Sequence, residues 1–389
     1  MTKPAVRQQR PVGLSRTAVP AVLFAGVVLN HLAPLSRWTE FRYLLLAFVA
    51  VVWLTAIVRG RLRNAFLSVT SVLLCVIVIE AYCVIVYPSL VDIETPGYRV
   101  SRPVTGWGPE HPGVFHHTKL DGGGHIIFDT DYTIGPQLTR RVISATEGPT
   151  VAFFGDSMTF GIGLSDDQTL PQQFADQTGR RFRVFNLAIS GFGPQQFLRV
   201  LETGLYEKLL TPTQLVIYLT APWHAERSAC LRGFMFFAPR YELVDGKPQF
   251  EGSCGDTWSN RLRALLSLTP VTSGFIEPLL GRSGPQAMDL YVAILKRAGE
   301  LAREKYGART AILYLRDSAY TRQAGSSDAE IMQQLRDDGL TVIDATLDGA
   351  AFPGQPLYIP GDGHPTGVAN HARAALLEKN LDELLAPSR

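Results

Sequence analysis

The stretch Val151-Ala-Phe-Phe-Gly-Asp-Ser-Met-Thr-Phe-Gly161 decides how the chain is read. Four apolar residues, Val151 to Phe154, run without alternation into Gly155-Asp156-Ser157, and the chain then turns polar and glycine-bearing. A short apolar run bounded by turn residues is the pattern of a strand buried on both faces, as in a parallel sheet. A serine where such a strand ends sits on a strand-to-helix turn, where the first backbone N–H groups of the helix have no partner. Asp and Ser are also favoured helix N-caps, so the stretch alone leaves capping and nucleophilic attack both open.

The rhythm continues to the end of the chain. TVAFF, FRVFNLA, QLVIYLT, RTAILYLRD and LTVIDAT read as strands. Between and after them QTLPQQFADQTG, PQQFLRVLETGLYEKLL, AMDLYVAILKRAGELAREKYG, DAEIMQQLRDDG and GVANHARAALLEKNLDELL read as helices, three of them stopped by Gly179, Gly307 and Gly339. Strands alternating with helices predict an α/β fold, here a flavodoxin-like three-layer α/β/α sandwich with a parallel sheet. We place this catalytic domain at 149–389, with an insertion at about 226–285 where Cys, Gly, Trp and Pro break the rhythm. Residues 91–148, rich in Gly, Pro, Thr and aromatics, read as a stalk and small β cap, with strands over HIIFDTDYTI and RRVIS.

Ligands of open α/β sheets bind at the carboxyl ends of the strands, where Ser157 falls. A serine nucleophile needs a base. Gly361-Asp362-Gly363-His364-Pro365, just before the last helix, offers His364 as base and Asp362 to orient it. Asn186-Leu-Ala-Ile-Ser-Gly191 follows the second strand and could turn the Gly191 amide inward, and the third strand leads to His224 and Arg227. Asp156 reads as a residue that fixes the turn through local amides, and Asn186 as a turn bridge or a possible substrate contact, as is Arg227.

These blocks resemble the SGNH (GDSL-type) hydrolase superfamily over roughly residues 150–385: Gly155-Asp156-Ser157 with the following TFG, NLAISG ending at Gly191, and DGHP at 362–365. The resemblance implies Ser157 as nucleophile, His364 as base and Asp362 as the third member. It also implies an oxyanion hole from the Ser157 and Gly191 amides and a third-block asparagine side chain. The chain departs from the pattern twice. The asparagine is missing, its place falling near Pro222, so His224, or else Arg227, is expected to substitute; losing one such donor typically costs ~10²–10³ in rate. The acid stands two residues before the histidine rather than three, which leaves Asp344 and Asp348 as fallbacks.

The first 90 residues read differently, as a membrane domain. Apolar runs cover Ala18–Leu35, Leu44–Val58 and Ala65–Leu90, against the ~20 residues a spanning helix needs. Three transmembrane helices are expected. Lys3, Arg7, Arg10 and Arg16 precede the first run, and Arg59, Arg61 and Arg63 lie between the second and third. By the positive-inside rule the N-terminus is cytoplasmic and the catalytic domain extracytoplasmic, in a bacterium periplasmic at the inner membrane. Glu80 within the third run is a functional candidate, or else faces another helix. Cys75 and Cys83 lie in the same run and read as small hydrophobes, whereas Cys230 and Cys254 form a possible disulfide in an oxidising compartment.

A net charge of +2 without an aromatic-basic patch gives no reason to expect nucleic acid. Gly122-Gly-Gly124 lacks the Lys-Ser or Lys-Thr of a phosphate loop. No metal-ligand spacing is present and no cofactor is expected. The expected activity is a membrane-anchored serine esterase acting on O-acyl, chiefly O-acetyl, groups of an envelope or secreted glycan. The alternatives are an O-acyltransferase that passes an acyl group to a polysaccharide with a membrane acyl-donor or polysaccharide-assembly partner, and a non-catalytic scaffold subunit. The expected partners are therefore an acylated glycan or other ester, and the lipid bilayer.

Overall fold

The structure, a computed structural model, describes residues 39–86, 90–266 and 284–386 and, ahead of them, Ala21, Leu23, Phe24 and Gly26. The chain divides into an N-terminal unit and a larger unit that begins after residue 88.

In the N-terminal unit two helices, Thr39–Ile57 and Arg61–Val86, are joined at Gly60, which takes the left-handed φ of +70° open to a residue without Cβ. Thr55 and Thr70 approach one another across the pair, 3.4 Å between hydroxyl oxygens. Among the described residues one helix is long and apolar enough to cross a membrane, Arg61–Tyr82, with 22 residues. Its side chains stay largely exposed, as Val72, Val78 and Tyr82 are. The apolar part of the other helix, Leu44–Ile57, is shorter than a bilayer requires. The first apolar run lies outside the described residues but for four positions, so of the three expected spans one is long enough among the described residues. Glu80 is buried and Cys75 exposed, and the Cys83 side chain lies outside the described residues.

The larger unit begins with a three-stranded antiparallel sheet ordered β1-β4-β5, from β1 (Val91–Glu94), β4 (Gly113–Leu120) and β5 (Ile126–Ile134). A small hairpin, β2 (Val100–Arg102) and β3 (Gly106–Gly108), lies between the first two. The main sheet has five strands: β6 (Thr150–Phe154), β7 (Arg183–Asn186), β8 (Thr213–Thr220), β11 (Arg309–Tyr314) and β12 (Thr341–Asp344). Their order is β12-β11-β8-β6-β7, every pairing parallel. This is the expected doubly wound α/β sheet.

Its strands read as continuous apolar runs because both faces are covered. Ala152, Phe154, Val216, Tyr218, Ile312 and Tyr314 pack on one face against helices Pro194–Thr203, Pro285–Tyr306 and Asp328–Asp337. Val151, Phe153, Leu215, Ile217 and Leu313 pack on the other against Leu170–Gln177 and Gly367–Lys379. Side chains alternate along each strand, so two cores form, one above and one below the sheet. β6 lies between β7 and β8, and the chain reverses its direction of winding at that point, where such folds place ligands.

One part of the sequence folds differently from expectation, and another gains detail. RRVIS makes no strand: Arg140 alone bridges Ile134 of β5 and Asn186 of β7. The insertion at 226–285 contains a second hairpin, β9 (Pro239–Val244) with β10 (Lys247–Ser253), and a helix, Trp258–Leu266, while residues 267–283 lie outside the described residues.

Candidate active site

Ser157 opens the four-residue helix that leaves β6. Gly155 turns the chain there with φ +152°, and a Cβ on it would lie 2.3 Å from Thr159 Oγ1, so only glycine fits. Asp156 is the N-cap, its Oδ1 accepting from the Met158 N–H at 2.9 Å. The cap role read from the sequence thus belongs to Asp156, and Ser157 is left as the first helical residue, 7% exposed.

Arg140 holds the loop that follows. Its guanidinium is fully buried and donates to the carbonyls of Phe160 (2.8 Å), Gly161 (2.6 Å) and Leu164 (2.6 Å). It also faces Asp166 Oδ1 at 3.2 Å and stacks near the rings of Tyr132 and Phe160. Burial lowers its pKa, and Asp166 opposes that shift. Sequence reading missed Arg140; an arginine inside a predicted strand was its only signal.

The second block lies beside this turn. Gly191 takes a left-handed φ of +83°, with a Cβ position 3.3 Å from the Trp107 ring and 3.6 Å from Phe234. Trp107 on β3 donates its indole N–H to the Ser190 carbonyl at 2.9 Å. Among the described residues neither the Ser157 N–H nor the Gly191 N–H makes a hydrogen bond within the protein. Two unspent amides of this kind are what a developing oxyanion requires. Asn186 does not reach outward. Its amide donates to the carbonyls of Thr159 and Phe160 and accepts from the Ala188 N–H, and it is fully buried, so its candidacy as a substrate contact is withdrawn in favour of bridging turns.

His224 is likewise corrected, and Arg227 lies beside it. Both turn beneath the nucleophile loop onto Asp156: His224 Nε2 at 3.1 Å and Arg227 Nη1 at 2.8 Å from Oδ2. The other nitrogen of His224 meets Thr220 Oγ1 at 3.0 Å, which in turn meets Tyr291 OH at 3.0 Å. With both ring nitrogens engaged and 1% exposure, His224 has no donor left for an oxyanion. Arg227 also donates to the Phe192 carbonyl at 2.6 Å through the same Nη1, so that nitrogen serves the scaffold. Burial pushes the Asp156 carboxyl up, but Arg227, His224 and the Met158 N–H outweigh it and hold it below the usual carboxylate range. Burial, with Arg227 adding to it, pushes His224 down, so its ring is neutral at pH 7. A neutral ring then donates from Nε2 to Asp156 and accepts at Nδ1 from Thr220.

The third element comes from the far end of the chain. The loop between β12 and the last helix is pinned by Ile359, which packs in one core with Phe160, Ile162 and Leu164, the residues following Ser157. On this loop His364 Nδ1 hydrogen-bonds Asp362 Oδ2, and the same oxygen accepts the His364 N–H at 3.2 Å. The two-residue spacing is therefore workable, because the short turn lets one carboxylate hold both the backbone and the ring of the histidine. The fallbacks lie elsewhere: Asp344 pairs with Arg316 at 2.9 Å, and Asp348 caps its own turn through the Ala350 N–H. The other Asp362 oxygen meets Lys119 Nζ of β4 at 2.5 Å. Burial raises the Asp362 carboxyl, but His364 and Lys119 together hold it well below the usual range. Among the described residues no hydrogen bond joins Ser157 Oγ to His364; such bonds commonly tighten only once substrate binds.

Cys230 and Cys254 are joined as a disulfide, which ties the loop carrying Phe234 to the end of β10. Among the described residues no group of three or more His, Cys, Asp or Glu is placed to hold a metal ion.

No protein-family model matches the chain, and no curated protein sequence matches it. Solved structures similar to it are G-D-S-L lipolytic proteins and esterases. A member of the lipolytic protein G-D-S-L family from Veillonella parvula is 16% identical, with TM-score 0.37, over 60% of this chain and 97% of that one. The psychrotrophic esterase EstA from a Pseudoalteromonas species is 15% identical, with TM-score 0.34, over 61% and 99%. A carbohydrate acetylesterase family member from Sinorhizobium meliloti is 15% identical, with TM-score 0.35, over 61% and 99%.

Proposed function

We propose that the chain is a membrane-anchored serine hydrolase of the SGNH type, which removes O-acyl groups, chiefly acetyl, from an envelope or secreted glycan outside the cytoplasmic membrane. The observation that carries the reading is the buried Asp362 carboxylate holding the His364 ring through Nδ1, on the loop packed beside the Ser157 turn. That bond leaves Nε2 as the nitrogen that takes up a proton.

In this mechanism His364 Nε2 takes the Ser157 Oγ proton as Oγ attacks the ester carbonyl. The Ser157 and Gly191 N–H groups receive the oxyanion. The C–O bond to the sugar breaks as His364 returns the proton to the leaving oxygen, which leaves an acyl-Ser157. Water, deprotonated by His364, then releases the acid. Asp362 stabilises the imidazolium at each stage. Membrane anchoring is supported by the apolar helix Arg61–Tyr82, and an extracytoplasmic site by the basic residues flanking the apolar runs and by the Cys230–Cys254 disulfide. Three spans with a cytoplasmic N-terminus remain part of the proposal.

The vacant third-block position at Pro222 favours a second reading, in which a sugar hydroxyl rather than water resolves the acyl-enzyme and a membrane partner supplies the acyl group. The test uses the full chain in detergent with p-nitrophenyl acetate, against Ser157→Ala. Turnover that disappears in the variant supports the hydrolase. Acylated sugar on adding glycan selects the transferase. Absence of turnover and of fluorophosphonate labelling in the unmodified chain sinks both and leaves a scaffold. A reporter fused after residue 389 that is active only in the cytoplasm overturns the topology.

A further inference from the structure

We propose that Lys119, on β4 of the small sheet, is a positioning residue of the site: it shares the Asp362 carboxylate with His364 and so sets how readily that histidine accepts a proton. The inference rests on the serine-hydrolase reading of Ser157 and His364 and adds to it a group 243 residues distant in sequence from the carboxylate it meets.

Asp362 has two oxygens, and both are spent. Oδ2 faces the His364 ring and backbone, and Oδ1 faces Lys119 Nζ at 2.5 Å. The Asp362 side chain is fully buried and that of Lys119 is 12% exposed, so water competes little for either charge. The charged and titratable groups around the pair come from three strands. Asp92 of β1 lies 3.9 Å from Lys119 Nζ and is itself held by His117 Nε2 at 2.8 Å. Tyr132 of β5 adds its phenol, bonded to His117 and to the Gly163 N–H. The acid therefore ends a chain of polar contacts, His117–Asp92–Lys119–Asp362, that runs from the small sheet to the His364 loop.

A carboxylate that serves a histidine alone stabilises the imidazolium with its whole charge. One divided between a histidine and an ammonium stabilises it less, and the ammonium adds repulsion of its own. Lys119 thus helps keep Asp362 ionised and takes up part of the charge that would otherwise hold the imidazolium. It also anchors the last loop. Gly361, at a left-handed φ of +79°, sits with its Cβ position 3.5 Å from Ile127 of β5, so the small sheet backs the loop beside the ion pair as well. The segment expected as a stalk and small β cap thus reaches the Asp362–His364 pair through Lys119.

The test is the pH dependence of kcat/KM for p-nitrophenyl acetate with the full chain in detergent, beside a 15N-imidazole titration of His364 assigned through His364→Gln. Lys119→Met keeps the stem and removes the charge, and should move the acid limb and the ring titration up by about one pH unit. Lys119→Arg keeps the charge and should leave both close to the parent. Asp92→Asn, outside the catalytic pair, should move both slightly down. An unchanged ring titration in Lys119→Met overturns the proposal, as does an equal shift in Lys119→Arg. If Lys119→Met fails to melt cooperatively, Asp92→Asn decides: no downward movement overturns the proposal. Turnover that survives Ser157→Ala would sink the hydrolase reading instead, and the ring titration would still report on Lys119.

Discussion

Arg227 donates to Asp156 at 2.8 Å, and the same nitrogen reaches the Phe192 carbonyl at 2.6 Å. Asp156 precedes Ser157 and Phe192 follows Gly191, so one guanidinium fastens together the two loops that carry the proposed oxyanion amides. The family asparagine is absent at the third block. Beside that position the chain holds a buried His224–Asp156–Arg227 cluster, which ties the turn before Ser157 to the loop after Gly191.

Removing that fastening should separate stability from chemistry only partly. Arg227→Met leaves Asp156 buried with His224 as its one remaining side-chain partner, a loss on the order of 3–5 kcal/mol. Ester turnover should fall by roughly 10²-fold as the amides lose alignment. Arg227→Lys, which keeps the charge but not the planar reach of the guanidinium, should recover stability more than rate. Melting in detergent and kcat at saturating substrate measure the two effects. A rate loss no greater than that of a surface arginine such as Arg303 would refute the fastening.

Arg140 predicts a comparable dependence for the loop after Ser157. Three carbonyls converge on it in a site without water access, and a methionine there would leave the Leu164 carbonyl unpaired, Phe160 with only the Asn186 amide and Gly161 with only the Leu164 N–H. Arg140→Met should lower stability by ~3–5 kcal/mol, and Arg140→Lys should recover only part, because an ammonium cannot reach all three. Urea unfolding followed by tryptophan fluorescence reads this directly.

Gly191→Ala tests the second oxyanion amide. The residue needs a left-handed φ, which costs a residue with Cβ roughly 1–2 kcal/mol, and its methyl would press on Trp107 at 3.3 Å. Turnover should fall by ~10²-fold or more while Ser157 still reacts with a fluorophosphonate, since the nucleophile itself is untouched. Loss of labelling in step with turnover would show that the whole turn had collapsed.

Acid should loosen the protein in two steps. His224 is pushed below its ordinary value by burial and by Arg227, so the unfolded chain binds its proton first, and stability falls as pH drops below about 6.5. Asp156 and Asp362 are held below the ordinary carboxylate range, so their contribution is complete above about pH 4 and is lost as pH falls further. His224→Gln keeps a donor for Asp156 and should remove the first step while leaving the second. A melting temperature flat between pH 7 and 5 in the parent would contradict the buried neutral histidine.

The sheet was legible because each central strand is buried on both faces, which writes it as a run such as VAFF or QLVIYL. Glycines at 179, 307 and 339 marked helix ends for a local reason, the left-handed turn that follows a helix. Ser157, Gly191 and His364 were legible because each follows a strand and carries a recognisable residue pattern. RRVIS misled because Arg140 looked like one more polar residue in an alternating strand, whereas its guanidinium fills the interior.

The sequence by itself determined the α/β alternation, the strand-end serine and the Asp-x-His turn, since all depend on neighbours along the chain. Tertiary structure alone decided where the charges go. His224 and Arg227 turned under the loop to neutralise Asp156, because a buried carboxylate must be paired. Lys119 came to Asp362 across 243 residues for the same reason. Such pairings are set by which surfaces the sheets bring together, and local residue spacing carries no record of them.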